Sequence, residues 1–569
     1  MIKKYYPVFI AFFMVIFTWF AYKQVIHLYL FNDEWVELGS VYKYGLSASL
    51  HGVPIPQLFL GRNRLIGALL NNLFFLRFRD NVAPIALFGL VFHCINGFLM
   101  YVVTKRATKN TFIGSVAAVF FVSSSVMHQA LTWPAATTQT VSSITFLLLS
   151  LYFAFRYQQE GIRRNIVFAL VALYVSFLLR DNTIIVLPVL GVMPFLFGTK
   201  RLKIKNIPWY AWAGIISLLL LAFYKTIVYF DLSRGTFLAP YMLLNYLRWG
   251  VNLVLYPIVS VAHFFVPFPY MLKLAHGVGW YYSLLQRPPF TNVAFELLSE
   301  TVLSDVVSVF LSLVIIIILY VLCFRRKEYK PTVLLFVLFY ILTFVPIALF
   351  LNERNTSYVE SRYLYACVVP FSVLIGIFIE SFTRWVSLKL HLSFRRSTMV
   401  IGLLFSLFVY KQMIVIQRNV ATAVDQSNQI RDTANAFLRI RPRLPNKPII
   451  YLESDSIYYA GAPVPFQLGP GYILMIKYYP TGIVPTDFLV GTKEQYYPFL
   501  YHYVDQGYKE FGGKGFGYFS DKLKLAQLFT SDASLSVDQL VGFRYIGAER
   551  RLIDITEEIR QYIQNLPSR

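Results

Sequence analysis

Charged residues are scarce in this sequence, and a few of them fall where they could do chemistry. Asn32-Asp33-Glu34-Trp35 sets two adjacent carboxylates at the exit of a long apolar run. In an enclosed, poorly solvated place a carboxylate pKa rises toward values useful for a general base acting on an acceptor hydroxyl. The same residues also suit a solvated loop acid beside an interfacial tryptophan. Four further groups carry arginine: Gly61-Arg62-Asn63-Arg64, Arg180-Asp181-Asn182, Glu353-Arg354 and Glu360-Ser361-Arg362-Tyr363. A guanidinium clamps phosphate in a bidentate fashion and keeps its charge, so Arg62, Arg64, Arg180 and Arg362 suit an anionic lipid head. Each alone equally suits an ion pair. Taken jointly, with Asp181, Glu353, Glu360 and His128 in support, they read as a pocket for a phospholipid-linked substrate beside an acid pair. His93 falls inside an apolar run and reads as a hydrogen-bonded packing residue.

Other chemistries find less support. Asp33 and Glu34 could hold Mg2+ or Mn2+, but two adjacent acids make a thin ligand set, and the expectation is no obligatory metal or other cofactor. No glycine-rich phosphate loop, nucleotide-binding fingerprint or HExxH motif occurs. The three cysteines, Cys94, Cys323 and Cys367, sit in apolar runs without CxxC spacing, which argues against a disulfide scaffold or a zinc site.

The elements that must position these residues follow from composition. Of 569 residues, 57% are hydrophobic and 14% charged, against roughly 25% charged in an average soluble chain. The mean hydropathy is +0.55. Apolar runs long enough to cross about 30 Å of hydrocarbon read as eleven spans: 8–30, 84–104, 111–129, 134–155, 165–179, 183–198, 208–230, 303–324, 331–351, 363–383 and 397–417. With a cytoplasmic N-terminus, that terminus and the cytoplasmic connections together hold 20 Lys and Arg against two acids, Glu160 and Glu328. That is the positive-inside pattern, and it accounts for most of the +23 net charge without invoking nucleic acid. The stretch 248–271 would invert every later loop if it crossed, so it reads as interfacial or re-entrant, within an outer loop 231–302. Leu65–Phe78 reads as a helix lying in the outer interface, within an outer loop 31–83. The expected fold is therefore an all-α polytopic membrane domain, 1–417, followed by a small extracytoplasmic mixed α/β domain, 418–569. In the latter, Pro448–Leu452, Tyr472–Tyr478 and Phe488–Gly491 read as strands and Ile553–Leu566 as a closing helix.

The order of motifs resembles that of GT-C membrane glycosyltransferases, in particular the protein O-mannosyltransferase-like group that includes the transmembrane and tetratricopeptide-repeat mannosyltransferases. The residues that carry the resemblance lie within about 30–380. They are the acid pair after span one, Gly61-Arg62-Asn63-Arg64-Leu65 before Asn71-Asn72-Leu73-Phe74-Phe75, Val91-Phe92-His93-Cys94-Ile95-Asn96, Met127-His128-Gln129-Ala130-Leu131-Thr132-Trp133, Leu179-Arg180-Asp181-Asn182 and Ser361-Arg362-Tyr363-Leu364-Tyr365. The resemblance implies a polyprenyl-phosphate sugar donor, Asp33 as catalytic base with Glu34 adjoining, and Arg64 and Arg362 on the donor phosphate. It departs from the family at Arg180-Asp181, where Lys-Glu is usual, and at Arg64-Leu65, where many members have Arg-Pro. The tail lacks the 34-residue period of tetratricopeptide repeats. The expected activity is transfer of a hexose, with inversion, to a hydroxyl on a protein, glycan or lipid at the extracytoplasmic face of the cell membrane. A polyprenol-linked sugar flippase or other carrier, and a non-catalytic envelope assembly protein, are the alternatives.

Overall fold

The computed structural model describes residues 2–30, 34–50, 55–59, 64–197, 212, 215–216, 219–220, 242–285, 303–324, 326–350, 359, 361–455, 458–459, 462–463, 470–478, 507–511 and 514–566. Seven helices are long and apolar enough to cross a membrane: Tyr6–His27, Ala83–Thr108, Pro134–Glu160, Ser304–Cys323, Lys327–Ala348, Ser361–Lys389 and Phe394–Ile440. Two bent pairs raise the number to nine among the described residues. The chain is thus a mostly helical, multi-pass membrane protein with a small sheet-bearing part.

The expected spans and the observed helices differ in three places. The span read at 111–129 is broken, Thr111–Ser123 meeting Ser125–Thr132 at 49°. The spans read at 165–179 and 183–198 are helices Arg163–Leu179 and Val186–Phe197, parted at Arg180 by a 3-10 turn. At 17 and 12 residues both are shorter than the roughly 20 residues a perpendicular crossing needs. The span read at 208–230 lies almost wholly outside the described residues. The stretch 248–271 does not run straight: Gly250–Phe265 and Tyr270–Val278 meet at 105°, with Pro267 between them. Proline lacks the N–H needed to continue the ladder, so the turn falls where the sequence allows it.

The chain forms two compact units. The first comprises Met1–Lys23, Phe59–Gly67 and Leu87–Val420. Its helices approach closely where glycine removes the side chain. A Cβ on Gly376 would lie 2.7 Å from the Ile113 carbonyl oxygen, and one on Gly114 would lie 2.9 Å from that of Tyr101. Small residues at such crossings let backbones pack without a hydrophobic driving force from lipid. A buried polar network ties three of these helices. His93 Nδ1 meets the Tyr365 hydroxyl at 2.8 Å, Asn96 donates to that hydroxyl at 3.1 Å and to Val141 O at 2.8 Å, and Thr145 donates to Asn96 Oδ1 at 2.6 Å. His93 is thus a packing residue, as its place in the sequence indicates.

The second unit comprises Gln24–Leu58, Ala68–Ala86 and Ala421–Arg569. Its five-stranded mixed sheet holds β1 (Ile449–Ser454), β2 (Gly507–Phe511), β3 (Lys514–Phe519), β4 (Leu540–Ile546) and β5 (Arg551–Asp554) in the order β2-β3-β1-β4-β5. The central β1 runs parallel to both neighbours, and the two outer pairs are antiparallel. Ile449, Tyr451, Leu525, Leu540, Ile555 and Ile559 form its core. Gly542 is required there: a Cβ would lie 2.7 Å from Ile559 Cγ2.

The strand expected at Pro448–Leu452 is β1. The expected closing helix begins later, at Thr556, because Ile553 is taken into β5. Tyr472–Tyr478 is a correction: it is part of a helix, Pro470–Tyr478. Pro470 opens that helix with its φ already set, and Ile473, Leu474 and Ile476 are buried at a spacing that fits a helical face better than strand alternation. Phe488–Gly491 lies outside the described residues.

Candidate functional site

Three of the four arginines singled out in the sequence gather in the first unit. Arg64 stands just before helix Leu65–Phe78 with φ 52°, a left-handed conformation that costs a non-glycine residue roughly 1 kcal/mol. Its Nε lies 3.3 Å from Asp181 Oδ1, and its Nη1 donates to Gln139 Oε1 at 3.1 Å. Gly67 permits this approach: a Cβ there would lie 2.6 Å from Leu179 O and 2.8 Å from Gln139 Cγ.

Arg180 closes helix Arg163–Leu179, its backbone N–H bonded to Ser176 O at 2.9 Å. The helix stops there because Arg180 takes an extended backbone, which turns its side chain away from the helix face. The guanidinium is buried, donates to Thr140 Oγ1, and lies 5.9 Å from the Tyr363 ring centre. Burial first, and then the Arg64 charge, push Arg180 down to about 10, with Asp181 and Tyr363 acting in the opposite sense and Arg362 adding a smaller push downward. It stays cationic at neutral pH.

Arg362 begins helix Ser361–Lys389. Its backbone N–H donates to Gln129 Oε1 at 3.3 Å, and its guanidinium lies 4.1 Å from the Trp133 ring centre and 5.1 Å from that of Tyr363. Stacking on two aromatic faces orients the fork, and its Nη2 donates to the Tyr363 hydroxyl at 3.4 Å.

His128 lies beside this group. Its Nδ1 is 3.0 Å from Ser125 O, 3.1 Å from Ser361 Oγ and 3.3 Å from Asn419 Nδ2. A cavity of about 140 Å3 opens here, lined among others by His128, His263, Phe268, Ser361 and Asn419. Ser361 Oγ also donates to Val126 O, which joins the start of Ser361–Lys389 to the bend after Thr111–Ser123.

Of the acid pair, Glu34 belongs to the second unit. Glu34 is fully buried at the start of helix Glu34–Tyr44, and Asp33 lies outside the described residues. Arg62, Glu353 and Glu360 also lie outside them. Within this unit Glu37 accepts from Asn71 Nδ2 at 3.0 Å, and Asn72 Nδ2 donates to Leu46 O at 2.8 Å. Trp35 is buried edge-on to Tyr29, ring centres 5.9 Å apart. The Tyr29 hydroxyl donates to Asp80 Oδ2 at 3.1 Å, and Lys477 Nζ donates to Tyr29 Oη at 2.8 Å. Burial, then the Asp80 carboxylate, raise the Tyr42 phenol above its usual value.

Among the described residues no group of three or more His, Cys, Asp or Glu is arranged to hold a metal ion. Gln129, Gln139, Thr140 and Trp133 were not singled out as site residues by type and spacing. A signal for two of them exists: Thr137-Thr138-Gln139-Thr140 interrupts an otherwise apolar span, and polar side chains inside a span face protein rather than lipid.

No family model matches the chain, and no curated protein matches it. Among solved structures, the archaeal oligosaccharyltransferase AglB from Archaeoglobus fulgidus, in complex with an inhibitory peptide and a dolichol-phosphate, is similar at 12% identity and TM-score 0.42, over 79% of this chain and 62% of that one. The apo form of the Archaeoglobus fulgidus oligosaccharyltransferase gives 13% identity and TM-score 0.41, over 79% of this chain and 63% of that one. ArnT from Cupriavidus metallidurans bound to undecaprenyl phosphate gives 12% and 0.40, over 82% and 84%. The chain spans less than two thirds of the length of the two archaeal structures. Likeness of this size leaves the function to be argued from the residues.

Proposed function

We propose that the chain is a GT-C-type integral-membrane glycosyltransferase that moves a sugar from a polyprenyl-phosphate carrier to a hydroxyl acceptor on the extracytoplasmic face. The observation that carries this reading is the gathering of Arg64, Arg180 and Arg362, drawn from three separate helices, with Asp181 and the Trp133 and Tyr363 rings holding them. Arg180 is buried, and the charges of Arg64 and Arg362 act on it unfavourably, so the assembly favours a bound anion. A lipid phosphate supplies it. Dolichol-phosphate and undecaprenyl phosphate, bound in two of the solved neighbours, are of this lipid class; the reading rests on the arginines.

The roles follow from the charge movement. As the acceptor oxygen attacks the anomeric carbon, the bond from that carbon to the phosphate oxygen breaks and its electron pair goes to the phosphate. Arginines preorganised around that phosphate stabilise the charge it gains. Asp33 takes the acceptor proton, and Glu34 adjoins it. One displacement inverts the anomeric centre. No obligatory metal enters this scheme, because guanidinium groups take the part of a divalent ion at the leaving phosphate.

The test is turnover of a panel of synthetic polyprenyl-phosphate sugars by the purified full chain in lipid nanodiscs, with a mixed hydroxyl acceptor pool. Asp33→Asn is expected to retain donor binding and lose transfer. Transfer by Asp33→Asn at near wild-type rate would remove the base role. Movement of intact donor across a vesicle membrane without sugar transfer would replace the enzyme reading with a carrier.

A further inference from the structure

Both bent spans of the first unit break against one cavity. Thr111–Ser123 gives way to Ser125–Thr132, which carries His128, and Gly250–Phe265 gives way to Tyr270–Val278 across Pro267 and Phe268. His128, Pro267 and Phe268 line the cavity of about 140 Å3, and Leu364 of helix Ser361–Lys389 and Asn419 of helix Phe394–Ile440 help to close it. Irregular backbone at membrane depth is tolerated where protein covers it or where it lines a cavity. A cavity of about 150 Å3 admits one six-membered ring, so this one has the size for a single ring. Its Nδ1 contacts fix how His128 presents itself there. Nδ1 lies 3.0 Å from Ser125 O, which can only accept, and 3.1 Å from Ser361 Oγ, whose own proton goes to Val126 O. Nδ1 therefore carries the proton of the neutral imidazole, and a half-turn of the Asn419 amide, 3.3 Å away, brings its oxygen to the same N–H. Nε2 is left as an acceptor, and among the described residues no group bonds to it.

We propose that this cavity is a subsite for one uncharged sugar ring, with His128 Nε2 accepting from a ring hydroxyl. The lining suits such a ring on both counts. Pro267, Phe268 and Leu364 offer apolar surface to its C–H face, while His128 and Asn419 meet its hydroxyls. None of the described lining residues is Asp, Glu, Lys or Arg. An ammonium or carboxylate on the ring would lose water here and meet no opposite charge, so the cavity selects against amino sugars and uronic acids. Ser361 and Leu364, one turn apart, stand on the cavity side of their helix, whereas Arg362 and Tyr363 between them belong to the arginine group. The charged and uncharged parts of the site thus meet at one helix start. The inference rests on the sugar-transfer reading for the source of the ring, which is either the sugar of the donor or a sugar of the acceptor.

The experiment measures direct binding to the purified full chain in nanodiscs. The probes are a short polyprenyl phosphate, its glucosyl, mannosyl, galactosyl, amino-hexosyl and uronosyl esters, and the matching octyl glycosides. The proteins are wild type, His128→Asn and Leu364→Phe, each with its unfolding temperature. Asparagine keeps an amide N–H near the place of Nδ1 and removes Nε2; phenylalanine at 364 fills the cavity from its apolar side. At least one neutral sugar should bind wild type about tenfold or more tightly than its amino and uronosyl counterparts. Loss of one neutral hydrogen bond should weaken that ligand by about 2–12-fold in His128→Asn, and Leu364→Phe should weaken it too, while the bare polyprenyl phosphate binds all three proteins alike. If the ring belongs to the donor, the losses fall on the hexosyl phosphate lipid; if it belongs to the acceptor, they fall on the octyl glycoside alone. Charged sugars that bind wild type as tightly as neutral ones overturn the proposal without any variant. Neutral-sugar affinities unchanged in the variants overturn it as well, as do losses that appear only with a lowered unfolding temperature. None of these readouts needs turnover. A chain that binds neutral sugars as expected and transfers none refutes the transferase reading alone, and one that transfers sugar while both variants bind as wild type refutes the cavity assignment alone.

Discussion

Arg362 offers the sharpest test of the phosphate pocket, because its guanidinium stacks on Trp133 and Tyr363 and donates to the Tyr363 hydroxyl at 3.4 Å, while its backbone bond is independent of the side chain. The backbone bond to Gln129 Oε1 and the Ser361 contacts survive any side-chain change at 362. A charge-assisted hydrogen bond to a phosphate oxygen contributes about 1.5–3 kcal/mol, so Arg362→Met is expected to weaken donor binding by about 10–100-fold. If the phosphate gains charge as the sugar leaves, the loss extends to kcat, where removal of one oxyanion donor costs about 100–1,000-fold. Arg362→Lys keeps the charge and loses the planar stack on Trp133 at 4.1 Å and on Tyr363 at 5.1 Å. Cation–π contact of this kind is worth about 0.5–2 kcal/mol, which sets the lysine loss at about 2–30-fold. Trp133→Leu should fall in the same range. The pair Arg362→Lys with Trp133→Leu should be less than additive, since both remove one stack. Initial rates over a donor titration, alongside direct binding of polyprenyl phosphate, separate affinity from turnover. Arg362→Met with donor affinity and kcat both within twofold of wild type would refute the assignment.

Three further outcomes follow from the structure. Gly67→Ala places a methyl 2.6 Å from Leu179 O and should push Arg64 away from Asp181 and Gln139; donor KM should rise while a chain carrying Ala at the open Gly191 behaves as wild type. Asn96→Leu removes the donor to Val141 O and the acceptor for Thr145 and should lower thermal stability by about 1–3 kcal/mol, with Tyr365→Phe costing less because one partner fewer is orphaned. Asp425 is held below the usual carboxylate range by its hydrogen bonds to Arg550, both at 2.9 Å. Its folded pKa is depressed, so the pair stabilises above about pH 4, near the usual Asp value, and loses that effect as the pH falls further. The unfolding-temperature gap between wild type and Arg550→Gln should therefore close on acidification, and a gap that widens would contradict the sign.

How much of this was legible in sequence depends on how far each contact reaches. Apolar runs locate most helices, because hydrocarbon thickness imposes a length that a run of residues displays directly. They locate poorly the helices Arg163–Leu179 and Val186–Phe197, where Arg180 stops one helix and a 3-10 turn intervenes before the next. Tyr472–Tyr478 reads as a strand although it lies in helix Pro470–Tyr478, because a short apolar run carries too few polar residues to show its period. Arg64, Arg180 and Arg362 were visible as charges in apolar surroundings, and the fold brings them together. Of their holders, Gln139 and Thr140 show only as a polar interruption of an apolar span; that they and Gln129 bond these arginines is not legible locally, since each touches a partner 40 to 233 positions away. Lys477 has no local pattern at all; its partners Tyr29 and Asp80 reach it only through the fold.

Arginine rather than lysine at position 180 has a physical reason in this pocket. Burial and the Arg64 charge bring Arg180 down to about 10. A lysine's ordinary value lies roughly two pKa units below arginine's, and burial beside the Arg64 charge pushes a cation at this position downward, so a lysine here would hold its proton less firmly. An uncharged amine would forfeit the clamp. Arginine keeps its charge under the same pressure and adds a fork that bonds Thr140 while lying against Tyr363. Asp181 lies 3.3 Å from Arg64 Nε and also acts on Arg180, favouring its charged form. Arg180→Lys is thus not a conservative change here. It should weaken donor binding more at pH 8.5 than at pH 6.5, whereas an arginine needed only for packing would give a loss independent of pH.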